Sequence, residues 1–179
     1  MANNNKHTGP NVPALRFPEF SGKWEMTVFE NICKIGTGSK NTQDKSENGK
    51  YPFYVRSQKV ERINEYTFDG EAVLTAGDGV GVGKVFHYST GKIAVHQRVY
   101  ILSQFKCSGK YLFHYFSSKF YERVKKISAK NSVDSVRYDM IANMPISLPD
   151  SREQNMIAMF LSLLDERIAT QSKIIEEQV

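Results

Sequence analysis

Residues 148–179 read LPDSREQNMIAMFLSLLDERIATQSKIIEEQV, and this stretch determines the architecture expected for the whole chain. Asp150 or Ser151 can cap the start of a helix, and Glu153 and Gln154 follow in its first turn. Apolar residues then recur at the spacing of one helix face. The stretch predicts a helix of about 28 residues, which is a rod about 40 Å long.

The apolar face of this helix has the heptad spacing of a coiled-coil seam. Its a and d positions, which we predict to mediate dimerisation, are Ile157, Leu161, Leu164, Ile168, Gln171 and Ile175. A rod of this length cannot bury its whole stripe on a small body, so another helix is expected to cover it. A local alternative is that the first half of the helix docks on its own body, where the apolar face is widened by Met156, Met159, Phe160 and Leu163.

Upstream of this helix the chain reads mainly as short strands. Four runs rich in β-branched and aromatic residues, YPFYVRS, GEAVLTA, KVFHYS and KIAVHQRVYIL, are separated by glycine-containing or polar turns. In the last run, one face of a strand is expected to hold Ile93, Val95, Gln97, Val99 and Ile101. These runs predict a β-rich, mostly antiparallel body.

One segment of the body has a helical period instead. Within residues 110–130, apolar side chains recur at three- and four-residue steps, namely Phe113, Phe116, Phe120, Val124 and Ile127. The lysines of this segment form either a solvated face or a phosphate-binding one.

The sequence thus predicts an α+β fold. A flexible leader (residues 1–14) precedes a β-rich globular domain with helices (residues 15–149), and one long coiled-coil-type helix (residues 150–179) ends the chain.

Positive charge is concentrated in the body. The chain has 24 Lys and Arg against 19 Asp and Glu, a net charge of +5, yet residues 151–179 carry three basic and five acidic side chains. Residues 1–150 therefore hold a net +7, which favours a polyanionic partner.

No apolar run reaches the ~20 residues of a membrane span, and the start MANNNKHTGPNVPA has no apolar core of a secretory signal. We expect a cytoplasmic protein with no membrane association and with two reduced cysteines.

The stretch AGDGVGVGK at residues 76–84 raises the question of nucleotide binding. A P-loop requires a glycine where Asp78 stands, whose carboxylate would repel phosphate, and a hydroxyl side chain where Val85 follows Lys84. The dinucleotide fingerprint also fails its spacing, and the strand-like run after the loop offers no helix N-terminus to an anion. The histidines have no metal-like spacing. The sequence predicts no catalytic residue, no metal and no cofactor.

Glycines between two strands have another use, because a residue without Cβ lets the main chain approach a neighbour closely. Flanked by Lys84 and backed by Arg98, the main-chain amides of such a loop can lie against a DNA backbone. The alternative is a tight turn that serves folding alone.

Several segments together resemble one family, the specificity subunit of type I restriction-modification enzymes. They are LRFPEFSGKWE, PFYVRSQKV, DGEAVLTAGDGVGVGKVFHY, VHQRVYIL, NSVDSVRYDMI and PISLPDSREQNMIAMFLSLLDERIATQ, and the resemblance extends from Leu15 to Val179. The last segment is the most specific, with a proline-ended strand, an E-Q pair and a long helix carrying F-L-S-x-L-D-x-x-I.

The resemblance implies that the chain reads DNA and does not catalyse. In this family two target-recognition domains, each followed by a long helix, read the two halves of a split double-stranded DNA target. The helices set the distance between the halves and dock the methyltransferase (M) subunits, and a restriction (R) subunit joins them. S-adenosylmethionine, ATP and Mg belong to those partners. This sequence holds one recognition domain and one helix, which indicates a half-subunit, either natural or truncated. We hypothesise that two copies pair through the seam of Leu161, Ile168 and Ile175 into a homodimer.

Base contacts do not follow from the family and are assigned by side-chain chemistry. Predicted base-reading residues are Arg56, Ser57, Gln58, Gln97, Arg98 and Arg137. Predicted phosphate contacts are Lys59, Lys84, Lys130 and the backbone of the glycine loop, including Gly79 and Gly81.

The competing interpretation is a protein-interaction adaptor in which the coiled-coil helix matters and the basic body is incidental. A nucleotide-using enzyme is disfavoured by the failed glycine motifs.

Overall fold

The computed structural model describes residue 13, residues 15–128 and residues 135–177. These residues form ten strands and four α-helices. The strands are β1 (Glu25–Val28), β2 (Lys34–Thr37), β3 (Tyr51–Tyr54), β4 (Glu61–Ile63), β5 (Phe68–Asp69), β6 (Ala72–Ala76), β7 (Phe86–Ser89), β8 (Lys92–Val95), β9 (Val99–Ser103) and β10 (Pro145–Leu148). The helices are α1 (Phe29–Ile32), α2 (Gly109–Ser128), α3 (Tyr138–Ala142) and α4 (Ser151–Glu177). The predicted α+β fold with a long C-terminal helix is confirmed.

Two four-stranded sheets build the body. One has the strand order β2-β9-β6-β7, the other has the order β4-β3-β8-β5, and β1 pairs separately with β10. The strand pairs of the described residues are antiparallel except for β3 with β8, where Phe53 lies opposite Ala94. Every side chain of β6 is buried, which places this strand at the centre of the body. The predicted antiparallel character is confirmed.

The run KIAVHQRVYIL is two strands, so the prediction of one strand is wrong. The chain reverses between β8 and β9, and the two strands belong to different sheets. Their apolar residues still meet, because both strands face one cluster between the sheets. Ile93, Val95 and Val99 are buried in this cluster, and Ile101 packs against it. Gln97 was expected on the same face but lies exposed in the turn.

Helix α2 covers the larger core and packs against β6 and β7. Its fully buried side chains recur at four-residue steps and are Leu112, Phe116, Phe120 and Val124. The predicted helix is confirmed within the described residues, and Phe116, Phe120 and Val124 lie on its inner face as expected, but the residues at the two ends of the predicted face do not. Phe113 is half-buried and Ile127 is 39% exposed. Leu112 takes the core position instead.

The two cysteines are free thiols. Cys33 is buried and Cys107 is half-buried, as expected for reduced thiols in or near the core. Burial raises the pKa of Cys33 to about 12 and that of Cys107 to about 11, which keeps both in the poorly reactive thiol form.

Helix α4 is attached to the body near its start. Asp150 Oδ1 accepts hydrogen bonds from the amides of Arg152 at 2.9 Å and Glu153 at 3.0 Å, so Asp150 is the N-cap. Glu153 and Ala158 are buried, whereas every described residue after Ser162 is exposed. The second half of the helix therefore projects from the body as a rod.

Across the described ranges, helices capable of crossing a membrane are absent.

A buried ion pair joins the N-terminal segment to the base of α4. Arg16 Nε and Nη2 each donate to one carboxylate oxygen of Glu153 at 2.6 Å, and Arg16 Nη1 donates to the Gly22 carbonyl at 2.6 Å. The two charged side chains are 2% and 0% exposed. The hydrogen bonds that Arg16 donates to the Glu153 carboxylate raise the pKa of the Arg16 guanidinium. The pair links segments 137 residues apart and holds the rod to the body.

Removing one partner of this pair is expected to destabilise the fold strongly. Arg16→Met leaves the Glu153 carboxylate buried without its counter-charge, and such a loss costs about 3–5 kcal/mol. Urea unfolding should show a lower midpoint with an unchanged slope. Arg152→Met is the matched control, because Arg152 lies in the same helical turn but is exposed, and it should shift the free energy of unfolding by less than about 0.5 kcal/mol. An Arg16→Met midpoint equal to that of the wild type contradicts this role of the pair.

Candidate nucleic-acid interface

The glycine-rich segment between β6 and β7 forms a compact turn. Gly79–Gly81 is one turn of 3-10 helix, and the Val82 amide donates to the Gly79 carbonyl at 3.1 Å. Gly79 and Gly83 have φ angles of +73° and +67°, a region that favours glycine. The segment continues into strand β7, as predicted, and not into a helix that could hold a phosphate at its N-terminus.

Two other glycines of this segment lie against the backbones of predicted DNA-binding arginines. A Cβ placed on Gly77 would lie 2.8 Å from the Arg98 carbonyl oxygen, to which the Gly77 amide also donates at 2.8 Å. A Cβ placed on Gly81 would lie 2.5 Å from the Arg56 carbonyl oxygen. Any side chain at either position would push the loop away from its neighbour. Close backbone approach therefore explains these two glycines.

Asp78 lies between these glycines and contacts both arginines. Arg56 Nη1 donates to Asp78 Oδ1 at 2.8 Å, and Arg98 Nε lies 3.8 Å from Asp78 Oδ2. The arginine side chains are 47% and 66% exposed, and the Asp78 side chain is 23% exposed. Ion pairs this open add little stability, but they gather two guanidinium groups at one point of the surface. From the sequence, Asp78 counted only against nucleotide binding. The sequence signal that places Asp78 at this surface is its position between glycines that allow close backbone approach.

The turn that follows β3 continues the predicted site. The Ser57 carbonyl accepts a hydrogen bond from His87 Nε2 at 3.1 Å, and the Ser57 hydroxyl donates to the Lys59 carbonyl at 3.2 Å. Lys59 Nζ lies 3.4 Å from Glu61 Oε1. Gln58, between Ser57 and Lys59, is exposed. The structure thus holds the turn in place beside Arg56.

The turn between β8 and β9 presents Arg98. Gln97 Nε2 donates to Asn41 Oδ1 at 2.6 Å, and the Gln97 amide donates to the Lys40 carbonyl at 2.9 Å. The side chain of His96 is buried, and its Nδ1 accepts a hydrogen bond from the Arg98 amide at 3.0 Å. Gln97, a predicted base reader, ties this turn to the segment before β3.

The surroundings of the histidines beneath the surface favour their neutral form. Burial lowers the pKa of His96, and the neighbouring charge of Arg56 lowers this pKa further. Burial also lowers the pKa of His87, although the hydrogen bond to the Ser57 carbonyl acts in the opposite direction. The positive potential of the surface therefore comes from its arginine and lysine side chains.

Lys84 extends the positive surface from the loop to α2. Its Nζ lies 5.6 Å from the ring centroid of Tyr121, and Lys125 Nζ lies 5.2 Å from the same centroid. Tyr121 is 38% exposed, and Val80 at the tip of the loop is 98% exposed. Tyr121, Lys125 and Val80 are absent from the predicted site residues. The four-residue spacing of Tyr121 and Lys125 on a helix is the signal that places them together.

Arg137 is brought to the same edge of the body by a backbone contact. The amide of Val136 donates to the Gly77 carbonyl at 2.7 Å, and Arg137 follows directly. Arg137 Nε lies 3.3 Å from Asp139 Oδ1, and the Arg137 side chain is 60% exposed. Lys130, a predicted phosphate contact, lies outside the described residues.

The predicted dimerisation residues divide into two groups along α4. The inner group is half-buried, lines a groove of about 690 Å³ between α4 and α2, and consists of Ile157 and Leu161. The outer group is exposed and consists of Leu164, Ile168, Gln171 and Ile175. Ile168 is 64% exposed. The body described here therefore leaves the apolar stripe of the projecting half uncovered.

Comparisons with known proteins agree with this architecture. The family model for the type I restriction modification DNA specificity domain matches residues 21–177. The EcoDI specificity subunit of a type I restriction enzyme from Escherichia coli is 26% identical over 157 residues, which cover 86% of this chain and 34% of that protein. The chain thus spans about a third of the length of this curated relative.

Solved structures show the same fold. The S subunit of a type I restriction-modification system from M. genitalium has a TM-score of 0.68 at 17% identity, covering 86% of this chain and 42% of that one. The HsdS subunit from Thermoanaerobacter tengcongensis has a TM-score of 0.59 at 14% identity, covering 91% of this chain and 42% of that one. Since the family model extends from the N-terminal segment to the end of α4, this chain belongs to the family of type I restriction-modification DNA specificity domains.

Proposed function

We propose that this chain reads one half of a split double-stranded DNA target for a type I restriction-modification system. The observation that carries the proposal is the meeting of Arg56 and Arg98 at Asp78, beside a glycine loop. The body that holds them, residues 1–150, has a net charge of +7. Its membership of a DNA specificity family supports the same function.

The residues of the interface divide by chemistry into base readers and phosphate contacts. Arginine side chains offer paired N–H donors that match base edges in the major groove, so Arg56 and Arg98 are proposed to read bases. Lys84 and the amides of the glycine loop suit phosphate oxygens, which orient the protein without reading sequence. Tyr121 is placed with the phosphate contacts, because the ammonium groups of Lys84 and Lys125 lie over its ring.

The projecting half of α4 is proposed to pair with the same helix of a second copy. Its apolar stripe is exposed, as the 64% exposure of Ile168 shows, and coiled-coil pairing would remove it from water. A two-fold dimer of this kind would read a symmetric split site. The paired helices would set the spacing of the half-sites and dock the M subunit, with an R subunit joining for cleavage.

The chain itself is proposed to be non-catalytic. The function requires neither a cofactor nor a metal in this chain, since methyl transfer with S-adenosylmethionine and translocation with ATP and Mg fall to the M and R subunits. The recognition step would take place in the cytoplasm on double-stranded DNA.

Substitutions in the interface are expected to separate base reading from phosphate binding. Arg56→Ala and Arg98→Ala should each cost about 1–3 kcal/mol on the cognate duplex and little on unrelated ones. Lys84→Ala should weaken binding to all duplexes about equally and lower the slope of log K against log salt by about one. Fluorescence anisotropy of the complex with the M subunit, over a range of salt concentrations, measures both effects.

Lys23→Ala is the control for these variants, because Lys23 is an exposed lysine of the N-terminal segment, outside the interface. It should leave affinity and salt slope unchanged. A wild-type complex that binds every duplex with the same affinity contradicts the proposal and favours the adaptor interpretation, in which only the helix matters.

Replacing exposed seam residues is expected to abolish self-association. Leu164→Ser combined with Ile168→Ser removes apolar side chains that the body does not cover, so the folded body should persist while the dimer dissociates. Sedimentation velocity at micromolar concentration should show a dimer for the wild type and a monomer for the double variant. Arg167→Ser, an exposed change outside the seam, should leave the dimer intact. A wild-type chain that is monomeric under these conditions rules out pairing through α4.

A further inference from the structure

The two arginines that meet Asp78 are held to different degrees. Arg56 Nη1 lies at 2.8 Å from the carboxylate, which is a charge-assisted hydrogen bond. Arg98 Nε lies at 3.8 Å, which is ion-pair distance but too long for a hydrogen bond. Asp78 therefore fixes the orientation of the Arg56 guanidinium more firmly than that of Arg98.

The backbone of Arg56 is fixed as well. The chain leaves β3 two residues earlier, where the Tyr54 carbonyl accepts a hydrogen bond from the His96 amide at 2.9 Å. The Arg56 carbonyl then packs against Gly81, at a distance that excludes any side chain there. Since both the main chain and one end of the side chain are held, few rotamers remain open to Arg56.

The bond to Asp78 leaves one edge of the Arg56 guanidinium available. Nη1 is engaged, whereas Nε and Nη2 have no hydrogen-bond partner among the described residues. These two nitrogens present parallel N–H groups on one edge. Such a pair matches the O6 and N7 acceptors of guanine, which is the base edge that arginine reads in the major groove.

The carboxylate of Asp78 also has an electrostatic cost. It is 23% exposed, so it repels the phosphates of any duplex that approaches the loop. A duplex with guanine opposite Arg56 offsets this repulsion through two hydrogen bonds, and other sequences do not. A group that weakens all binding while aiding one contact increases discrimination between sequences.

We propose that Asp78 is a positioning residue that sets specificity: it orients Arg56 to read a guanine in the half-site and disfavours duplexes that lack this guanine. The inference rests on the proposed DNA-reading function, and it adds the base that is read and the residue that enforces the choice.

The test uses the complex of this chain with its M subunit and three kinds of duplex. The first carries the target identified by sequencing methylated DNA, and the second replaces each guanine of the half-site in turn by 7-deazaguanine, which lacks the N7 acceptor. The third is an unrelated duplex. For the wild type, one 7-deazaguanine should weaken binding about tenfold, the loss expected when a bidentate contact is broken.

Asp78→Asn keeps the size of the side chain and removes its charge. This variant should bind the target about tenfold more weakly, show no further loss with 7-deazaguanine at that position, and bind the unrelated duplex as well as the wild type or better. A structural defect in the loop would lower binding to all duplexes. Weaker binding of the target together with equal or tighter binding of the unrelated duplex therefore distinguishes a loss of positioning from misfolding. The methylated motif should also become degenerate at that guanine.

Two controls connect these effects to Arg56. Glu19→Gln removes one exposed negative charge for which the described residues show no ion pair, and it should change none of the affinities. In an Arg56→Ala background, Asp78→Asn should cause no additional loss of discrimination, because the residue through which it acts is gone.

The outcomes separate this inference from the function on which it rests. If Asp78→Asn weakens all duplexes equally, or keeps the 7-deazaguanine penalty, the inference is wrong while sequence-selective binding by the wild type still supports the proposed function. If the wild type itself does not select a sequence, both are wrong.

Discussion

The candidate site depends on the close packing of one glycine loop between two backbone segments. Gly77 lies against the Arg98 carbonyl and Gly81 against the Arg56 carbonyl, at separations that a side chain would prevent. The loop connects strands of one sheet, whereas β3 and β8, which lead to the two arginines, belong to the other. The interface therefore forms where the two sheets meet, and the contact that joins the sheets also positions the arginines.

Features encoded by local spacing could be predicted from the sequence. The long helix followed from the heptads around Ile168, the helix of residues 109–128 from its apolar period, and the absence of a P-loop from Asp78. Features created by tertiary approach could not. The pairing of Asp78 with Arg56 spans 22 residues and requires two sheets to be in place. The break within KIAVHQRVYIL is hidden for the same reason, since both of its strands bury their apolar residues in one cluster.

The chemistry of single residues gave a useful but incomplete account of the interface. Arg56 and Arg98 were predicted from the donors they offer, and the structure brings them together. Tyr121 is absent from the predicted site, because its partner Lys84 comes from the distant glycine loop. On α4 the heptads identified the apolar stripe, and the structure shows that its inner part, with Leu161, lines a groove against the body, in line with the local alternative for the first half of the helix.

The Arg16–Glu153 ion pair has a consequence for the order in which the protein is made. It joins one of the first described segments to the last helix, and the pairing of β1 with β10 spans a similar separation. During translation the sheets can form before α4 has left the ribosome, but Glu153 becomes available only once the body is complete. Attachment of the rod therefore follows formation of the sheets in the biogenesis of each chain, and a partner helix meets a correctly oriented rod only after the body has folded.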